Sequence, residues 1–204
     1  IVVPTVESEM LEDNIAYIAL YTYGENTTQQ LRNALQEMLD QNPDGLIFDL
    51  RDNGGGFLNT AIQVVSEFIG EGVVMYEEYG DGRIDRYEAI PGGLATEIPL
   101  VVLVNGGTAS ASEITAGAIQ DLDRGPLVGT TTFGKGSVQS WITLENNAGG
   151  VRVTVARWLT PDQRQISEVG LEPEYVVEIT EEDFAAGRDP QLDKAIEVMK
   201  DLIQ

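Results

Sequence analysis

Lys135 is the only lysine among the first 193 residues of the chain, and it lies between two glycines. The chain contains no histidine and no cysteine. A hydrolase of this composition cannot use a Ser-His-Asp or Cys-His arrangement, because both need an imidazole as the base. A serine activated by a lysine is still compatible with the composition. On local grounds alone, the more ordinary interpretation of Lys135 is a charged residue in a surface loop.

A run of small residues around Ser110 provides a candidate nucleophile. The segment 108–113 follows an apolar stretch and opens a predicted helix. Serines at helix starts usually cap the backbone, and Glu113, three residues after Ser110, fits a capping box. The alternative is catalytic, because backbone N–H groups and the helix dipole stabilise negative charge at a helix N-terminus.

Three glycine-rich segments follow predicted strands, at residues 51–56, 105–107 and 134–136. Ligand sites gather at the carboxyl ends of parallel strands, and glycine lets backbone N–H groups approach a ligand. We therefore expect the three segments to meet in one crevice. Neither 51–56 nor 129–136 matches the patterns typical of phosphate-binding loops.

The elements that must position these residues alternate between strand and helix, which predicts an α/β domain with a largely parallel core sheet. Predicted strands cover residues 15–23, 45–50, 100–104 and 126–131, with peripheral β structure at 73–90, 138–144 and 150–158. Predicted helices cover residues 26–39, 58–69 and 110–121, and a last helix begins at 189–190.

The chain is expected to divide near residue 180. Residues 1–180 form the predicted core, and residues 181–204 form an acidic linker and a C-terminal amphipathic helix that packs on the core. The linker assignment rests on the composition of residues 180–189, TEEDFAAGRD.

Charge and composition exclude several classes of function. The formal net charge of −22 over 204 residues argues against nucleic acid and anionic membranes as partners, because both would repel the chain. Without histidine or cysteine, we expect no zinc or iron–sulfur site and no other metal or cofactor. No apolar run approaches the roughly 20 residues of a membrane-spanning helix.

Two segments together resemble the C-terminal processing peptidases, also called tail-specific proteases. The first is TASASEI at residues 108–114, and the second is TFGKGSVQ at 132–139, which places Lys135 25 residues after Ser110. A third segment, DLRDNGGG at 49–56, matches another motif of that family, and VGLEPE at 169–174 resembles its closing segment. The resemblance covers roughly residues 10–180.

The resemblance implies a crotonase-like α/β fold and a serine protease with a Ser-Lys dyad. In that assignment Ser110 is the nucleophile, Lys135 is the general base and Gln139 orients the lysine. A lysine accepts a proton only in its neutral form, so we expect its surroundings to disfavour charge. Phe133, Val138 and Ile114 are candidates for the apolar walls.

The same resemblance implies an oxyanion hole made of backbone N–H groups. These belong to Ala111 and to Gly55 or Gly56, and Glu113 matches a family acid of less certain role. Gly54 departs from the family, since many relatives have proline there; this changes the rigidity of the loop more than its chemistry.

Partners and location also follow only from the resemblance. We expect protein or peptide substrates with extended C-terminal tails, an acyl-enzyme intermediate, and a location outside the cytoplasm, in the periplasm, cell envelope or thylakoid lumen. Relatives carry a PDZ module before the segment that corresponds to residues 1–11, so we expect one in the full-length protein, although it is absent from this sequence. A homo-oligomer is left open.

Two other functions are considered. The first is an acyl-CoA enzyme of the crotonase fold that uses glycine N–H groups as an oxyanion hole without a nucleophile. The second is a non-catalytic peptide-binding domain. The combination of Ser110, Lys135 and Gln139 argues against the second, because a binding module does not need these three residues.

Overall fold

The computed structural model describes residues 4–145 and 149–204, which form two β-sheets and five α-helices. The helices are α1 (Thr27–Leu39), α2 (Leu58–Ser66), α3 (Ala111–Asp121), α4 (Glu181–Ala186) and α5 (Pro190–Leu202). The strands are β1 (Val6–Met10), β2 (Ile15–Leu20), β3 (Gly45–Asp49), β4 (Val73–Tyr79), β5 (Ile84–Glu88), β6 (Leu100–Val104), β7 (Leu127–Gly129), β8 (Ser137–Thr143), β9 (Gly150–Leu159) and β10 (Tyr175–Val176).

The first sheet has the strand order β1-β2-β3-β6-β7-β10. All of its neighbouring pairs are parallel except β1 and β2. Its central strands β3 and β6 are buried along their whole length. Their nearly continuous apolar sequences are typical of parallel strands covered on both faces. The predicted α/β class with a largely parallel sheet is therefore confirmed.

The two faces of this sheet contact different helices. Side chains on alternate positions, such as Phe48 and Val102, pack in one apolar cluster with residues of α1, α2 and α3. Their sequence neighbours, such as Ile47 and Val101, pack against α5 on the opposite face. The helix approaches so closely that a Cβ added to Gly45 would lie 2.1 Å from Sδ of Met199.

The second sheet is antiparallel and has the order β5-β4-β9-β8. The predicted β-ribbon at 73–90 is confirmed as β4 and β5, joined by a turn at residues 80–83. Strand β8 begins two residues after Lys135 and pairs with β9. The second sheet therefore holds the loop of the candidate base, whereas β3 and β6 of the first sheet lead into the loops around Ser110.

Several elements differ from the prediction, among them the unpredicted short strand β10. Residues 181–186, assigned to the linker, form α4, which begins at Thr180 with a capping box and ends at Gly187 in the left-handed conformation. Strand β1 was not predicted at all; its sequence VESEM contains two glutamates and lies at a sheet edge. Residues 1–3, which belong to the segment expected to follow a PDZ module, lie outside the described residues.

Candidate active site

Ser110 lies in a sharp turn between β6 and α3. It is the residue immediately before the helix, and its backbone has φ 58° and ψ −116°. A positive φ is uncommon for a residue with a side chain, and such strain clusters at functional sites. Thr108 fixes the preceding loop, because its hydroxyl donates to the carbonyl of Leu50 at 2.8 Å and accepts from the N–H of Asn105 at 3.0 Å.

The loop after β3 is pressed against this turn. A Cβ added to Gly55 would lie 2.9 Å from Cβ of Ser110 and 2.8 Å from N of Ala111. Gly55 also has φ 93°, so both space and backbone conformation require glycine. Gly56 is restricted in the same way, because its Cβ would lie 2.3 Å from the carbonyl oxygen of Tyr23. By contrast, a Cβ at Gly54 would meet nothing within 4 Å.

Asn53 holds the two loops together, and sequence reasoning did not single it out. It is fully buried, and its amide donates to the carbonyl of Leu20 at 2.6 Å. Its own carbonyl accepts from the N–H of Ala109 at 3.0 Å and from the hydroxyl of Ser112 at 2.8 Å. The available signal was an asparagine directly before a glycine run, which is typical of a turn stabilised by the side chain.

Glu113 connects the Ser110 turn to the Lys135 loop. One carboxylate oxygen accepts from the N–H groups of Ser110 at 2.8 Å and Lys135 at 2.9 Å. The other accepts from the hydroxyl of Thr132 at 2.7 Å and the N–H of Gly134 at 2.6 Å. The side chain is fully buried, and its two oxygens accept four hydrogen bonds, so neither oxygen is left without a partner.

The Lys135 loop is fixed from its other side as well. The indole N–H of Trp158 donates to the carbonyl of Lys135 at 2.9 Å. A Cβ added to Gly134 would lie 2.9 Å from N of Gly170, so the 169–174 segment packs directly on this loop. The glycines beside Lys135 therefore permit close backbone packing.

One crevice of about 520 Å³ brings the predicted catalytic residues together. It is lined by Ser110, Lys135 and Gln139, and by the three candidate oxyanion residues Gly55, Gly56 and Ala111. Ile114 and Val138 line it, as expected for apolar walls. Two expectations were wrong. Phe133 is 64% exposed and is not part of the lining. The 105–107 loop does not line the crevice. It packs beside Asp52, whose Oδ1 would lie 2.6 Å from a Cβ added to Gly107.

The two candidate glycine N–H groups differ in their surroundings. The N–H of Gly55 donates to the side-chain oxygen of Asn53 at 2.9 Å, and Gly55 is buried. Gly56 is exposed to the crevice, and Ala111 is the first residue of α3, where backbone N–H groups lack partners within the helix. This arrangement favours Gly56 and Ala111 over Gly55.

An ion-pair cluster at the end of β3 connects this strand to the start of α5. Arg51 binds Asp49, with its Nη2 2.7 Å from Oδ2, and also binds both carboxylate oxygens of Asp189 at 2.9 Å. Burial acts to raise the pKa of Asp189, but the hydrogen bonds from Arg51 and from the N–H of Leu192 outweigh it and lower this pKa below its ordinary value of 3.8. Asp189 is at the same time the N-cap of α5.

The described residues contain no cluster of three or more aspartate, glutamate, histidine or cysteine side chains that could hold a metal ion. Among the same residues, no helix has both the length and the apolar character needed to cross a membrane.

Relatives of known family resemble this chain in sequence and in fold. The chain is 43% identical over 165 residues to the carboxyl-terminal-processing protease of Synechocystis sp., covering 81% of this chain and 38% of the relative. It is 39% identical over 163 residues to the chloroplastic C-terminal processing peptidase of Tetradesmus obliquus, covering 80% of this chain and 35% of the relative. The solved photosystem II D1 C-terminal processing protease superposes with a TM-score of 0.80 at 34% identity, covering 87% of this chain and 49% of that structure.

The chain thus spans less than two fifths of the length of these two relatives. A family model described as peptidase family S41 matches residues 14–177. This match includes the Ser110 turn, the Lys135 loop and the 49–56 segment, which confirms the resemblance found in the sequence. The chain belongs to peptidase family S41.

Proposed function

We propose that this chain is the catalytic core of a serine endopeptidase that cleaves protein substrates near their C-termini. The observation that carries the proposal is the shared crevice of Ser110 and Lys135, two residues that come from different loops and different sheets. The strained backbone of Ser110 and the carboxylate of Glu113 between the two loops support a site built for chemistry.

In the proposed mechanism, the Oγ of Ser110 attacks the carbonyl carbon of the scissile bond while its proton passes to the Nζ of Lys135. Collapse of the tetrahedral intermediate breaks the C–N bond, and Lys135 gives the proton to the departing amine. A water molecule then attacks the acyl carbon and gives a proton to Lys135. The ester bond to Ser110 breaks, the acid product leaves, and Lys135 returns the proton to the Oγ of Ser110. Gln139, which also lines the crevice, orients the lysine side chain.

The oxyanion of the intermediate is proposed to bind the N–H groups of Gly56 and Ala111. Backbone donors of this kind stabilise the charge that develops in the transition state, and loss of one typically costs about 10²–10³-fold in kcat. Gly55 keeps a structural role in this proposal, because its N–H is bonded to Asn53. Glu113 acts as a positioning residue, since it contacts backbone groups rather than the crevice.

Several broader features belong to the same proposal. The fold is crotonase-like, residues 1–180 form the catalytic unit, and residues 181–204 support it through α5. The substrate binds as an extended strand and presents its C-terminal tail. The names of chloroplastic relatives support a location outside the cytoplasm. In the full-length protein, a PDZ module is proposed to precede the core.

The proposal is tested by labelling the chain with a serine-directed fluorophosphonate and mapping the modified peptide by mass spectrometry. We expect the label on Ser110, and we expect Ser110→Ala to abolish both labelling and peptide cleavage. Ser112→Ala is the matched control, because its buried hydroxyl bonds the carbonyl of Asn53. It should retain the label and lose about 1 kcal/mol of stability.

A label on Ser112 would overturn the assignment of the nucleophile. A folded chain that takes no label and cleaves no unstructured peptide would favour a non-catalytic binding domain. Hydrolysis of acyl-CoA thioesters that survives in Ser110→Ala would favour the acyl-CoA enzyme.

A further inference from the structure

The crevice differs in charge from the rest of the chain. The sequence has 34 acidic and 12 basic side chains, yet none of the described residues that line the crevice is acidic. Lys135 and Arg152 both line it. Glu113 accepts hydrogen bonds from the Lys135 loop but does not line the crevice. Its side chain is fully buried, and its two oxygens already accept four hydrogen bonds. A substrate in the crevice therefore meets the guanidinium of Arg152 and no carboxylate among the described lining residues.

Arg152 lies on β9 directly opposite Trp141 of β8. Directly opposed residues of an antiparallel pair share one face of the sheet, and both of these line the crevice. The indole of Trp141 is 63% exposed and lies over Gly150, where an added Cβ would be 2.3 Å from the ring. The pair thus presents a guanidinium beside a flat apolar surface.

Arg152 is not used in an ion pair within the described part of the chain. Six other arginines each bind at least one carboxylate at 2.9 Å or less: Arg32, Arg51, Arg83, Arg86, Arg164 and Arg188. None of the ion pairs within residues 4–145 and 149–204 includes Arg152. In a chain with so many carboxylates, this leaves the guanidinium for a ligand.

The strand register gives the separation along the crevice. Ser137 begins β8 two residues after Lys135, and Trp141 lies four residues further along the same strand. The pairing of β8 with β9 shifts register between Val138 and Gln139, so the stretch from Ser137 to Trp141 is at most roughly 13 Å at about 3.3 Å per residue. An extended peptide running from the Lys135 end of the crevice to Trp141 covers this stretch with about four residues.

Building on the proposed peptidase function, we propose that Arg152 binds a carboxylate of the substrate about four residues from the scissile bond, and that Trp141 packs beside it. The planar guanidinium matches a carboxylate with two parallel hydrogen bonds. Two sources supply this group: the α-carboxylate of a free C-terminus and the side chain of aspartate or glutamate. With the α-carboxylate, Arg152 sets the length of the tail that is removed.

The test compares three forms of one unstructured peptide that is otherwise free of acidic residues. The first has a free C-terminus, the second is amidated, and the third is amidated with one glutamate about four residues from the cleaved bond. Values of kcat/KM are measured for the unmodified chain, Arg152→Gln and Arg152→Lys. Arg157→Gln is the matched control, because Arg157 is exposed on the same strand but does not line the crevice.

We expect the unmodified chain to prefer a carboxylate-bearing peptide over the neutral one by about tenfold, the size of one charged hydrogen-bonded contact. Arg152→Gln should bring this ratio close to one, Arg152→Lys should keep part of it, and Arg157→Gln should keep all of it. A preference limited to the free acid identifies the α-carboxylate, and a preference shared by the glutamate peptide identifies a side chain. A ratio that Arg152→Gln leaves unchanged overturns the proposal.

The outcome is separable from the peptidase proposal. Should the chain cleave none of the peptides, their binding to Ser110→Ala is measured by fluorescence anisotropy with the same variants of Arg152. Equal affinity for acid and amide forms then overturns the role of Arg152. Failure of fluorophosphonate labelling, by contrast, contradicts the peptidase proposal alone.

Discussion

At the scale of single residues, the site depends on backbone geometry as much as on side chains. Ser110 is held at a positive φ, and Gly55 leaves no room for a Cβ beside it. Sequence spacing could predict which serine and which lysine belong together, because the two motifs are specific. It could not predict that Asn53 takes up the N–H of Gly55, since that choice depends on the tertiary packing of the loop.

Lys135→Arg tests the base at this scale. Arginine retains the charge and much of the length of lysine but does not release its proton at ordinary pH. We expect kcat/KM to fall by about 10²–10⁴-fold, the usual contribution of a general base, with thermal unfolding little changed. Lys194→Arg on α5, where the lysine pairs with Glu197, is the control and should retain full turnover. Near-normal cleavage by a folded Lys135→Arg chain would refute the assignment.

Glu113→Gln tests the connection between the loops. An amide group has only one acceptor oxygen, so at least one of the backbone N–H groups bound to Glu113 would face an N–H donor. We expect a loss of about 1–3 kcal/mol in the free energy of unfolding. As a positioning residue, Glu113 should also affect kcat more than KM and slow fluorophosphonate labelling. Glu37→Gln, at an exposed position of α1, should change neither quantity; a Glu113→Gln chain with unaltered kcat would show that the carboxylate has no such role.

At the scale of elements, α5 is attached to the parallel sheet by charge as well as by apolar packing. Arg51 follows β3 and binds Asp189 at the start of the helix. The same segment continues into the glycines that line the crevice. The position of the C-terminal helix α5 is therefore coupled to the loop that packs against Ser110.

Asp189→Asn isolates this charge, because asparagine is also a good N-cap. The pKa of Asp189 is lowered in the folded state, so its ionised form stabilises the fold above its unfolded pKa. That contribution is lost as the pH falls through the lowered folded value. At pH 7 we expect Asp189→Asn to be less stable by about 0.5–1 kcal/mol, allowing for solvent screening of a half-exposed group.

The measurement is urea denaturation of both chains at neutral pH and at about pH 3, where much of the difference should vanish. A difference that stays constant over this range would show that the charge of Asp189 contributes nothing.

The elements that sequence reasoning identified best are those with the strongest patterns. The apolar runs of β3 and β6 and the Asp189-Pro190 start of α5 were all predictable from local signals. The 15–23 strand ends at Leu20, because the chain then turns and Tyr23 pairs with Gly56. Helix α4 was hidden by its acidic composition, although its capping threonine and terminal Gly187 were visible in the sequence.

At the scale of the whole molecule, the candidate dyad spans two sheets. Ser110 follows a strand of the parallel sheet, and Lys135 precedes a strand of the antiparallel one. The side chain of Glu113 and the indole of Trp158 provide direct hydrogen bonds that fix the lysine loop. The relative position of these two candidate residues therefore depends on how the two sheets are packed, which no local sequence pattern encodes.

The net charge of −22 leads to a prediction about the whole fold. Repulsion among excess carboxylates destabilises a compact state, and salt screens it. Raising the sodium chloride concentration from low ionic strength to about 0.5 M should increase Tm, by about 2–4 °C for each kcal/mol of repulsion removed. Differential scanning calorimetry measures this, with a non-ionic osmolyte as the control for general solvent effects. A Tm that falls with salt would mean that attractive ion pairs outweigh the repulsion.

The positive φ of Ser110 affects how such a protein can evolve. Holding a serine at φ 58° costs roughly 1–3 kcal/mol, and glycine would relieve most of this strain. A mutation of Ser110 to glycine would thus move the chain towards greater stability while removing its hydroxyl. Selection for stability alone would discard the serine, so under the proposed nucleophile role its persistence in a lineage records continued selection for catalysis. Descendants that no longer need the hydroxyl of Ser110 would gain folding stability by replacing this serine with glycine.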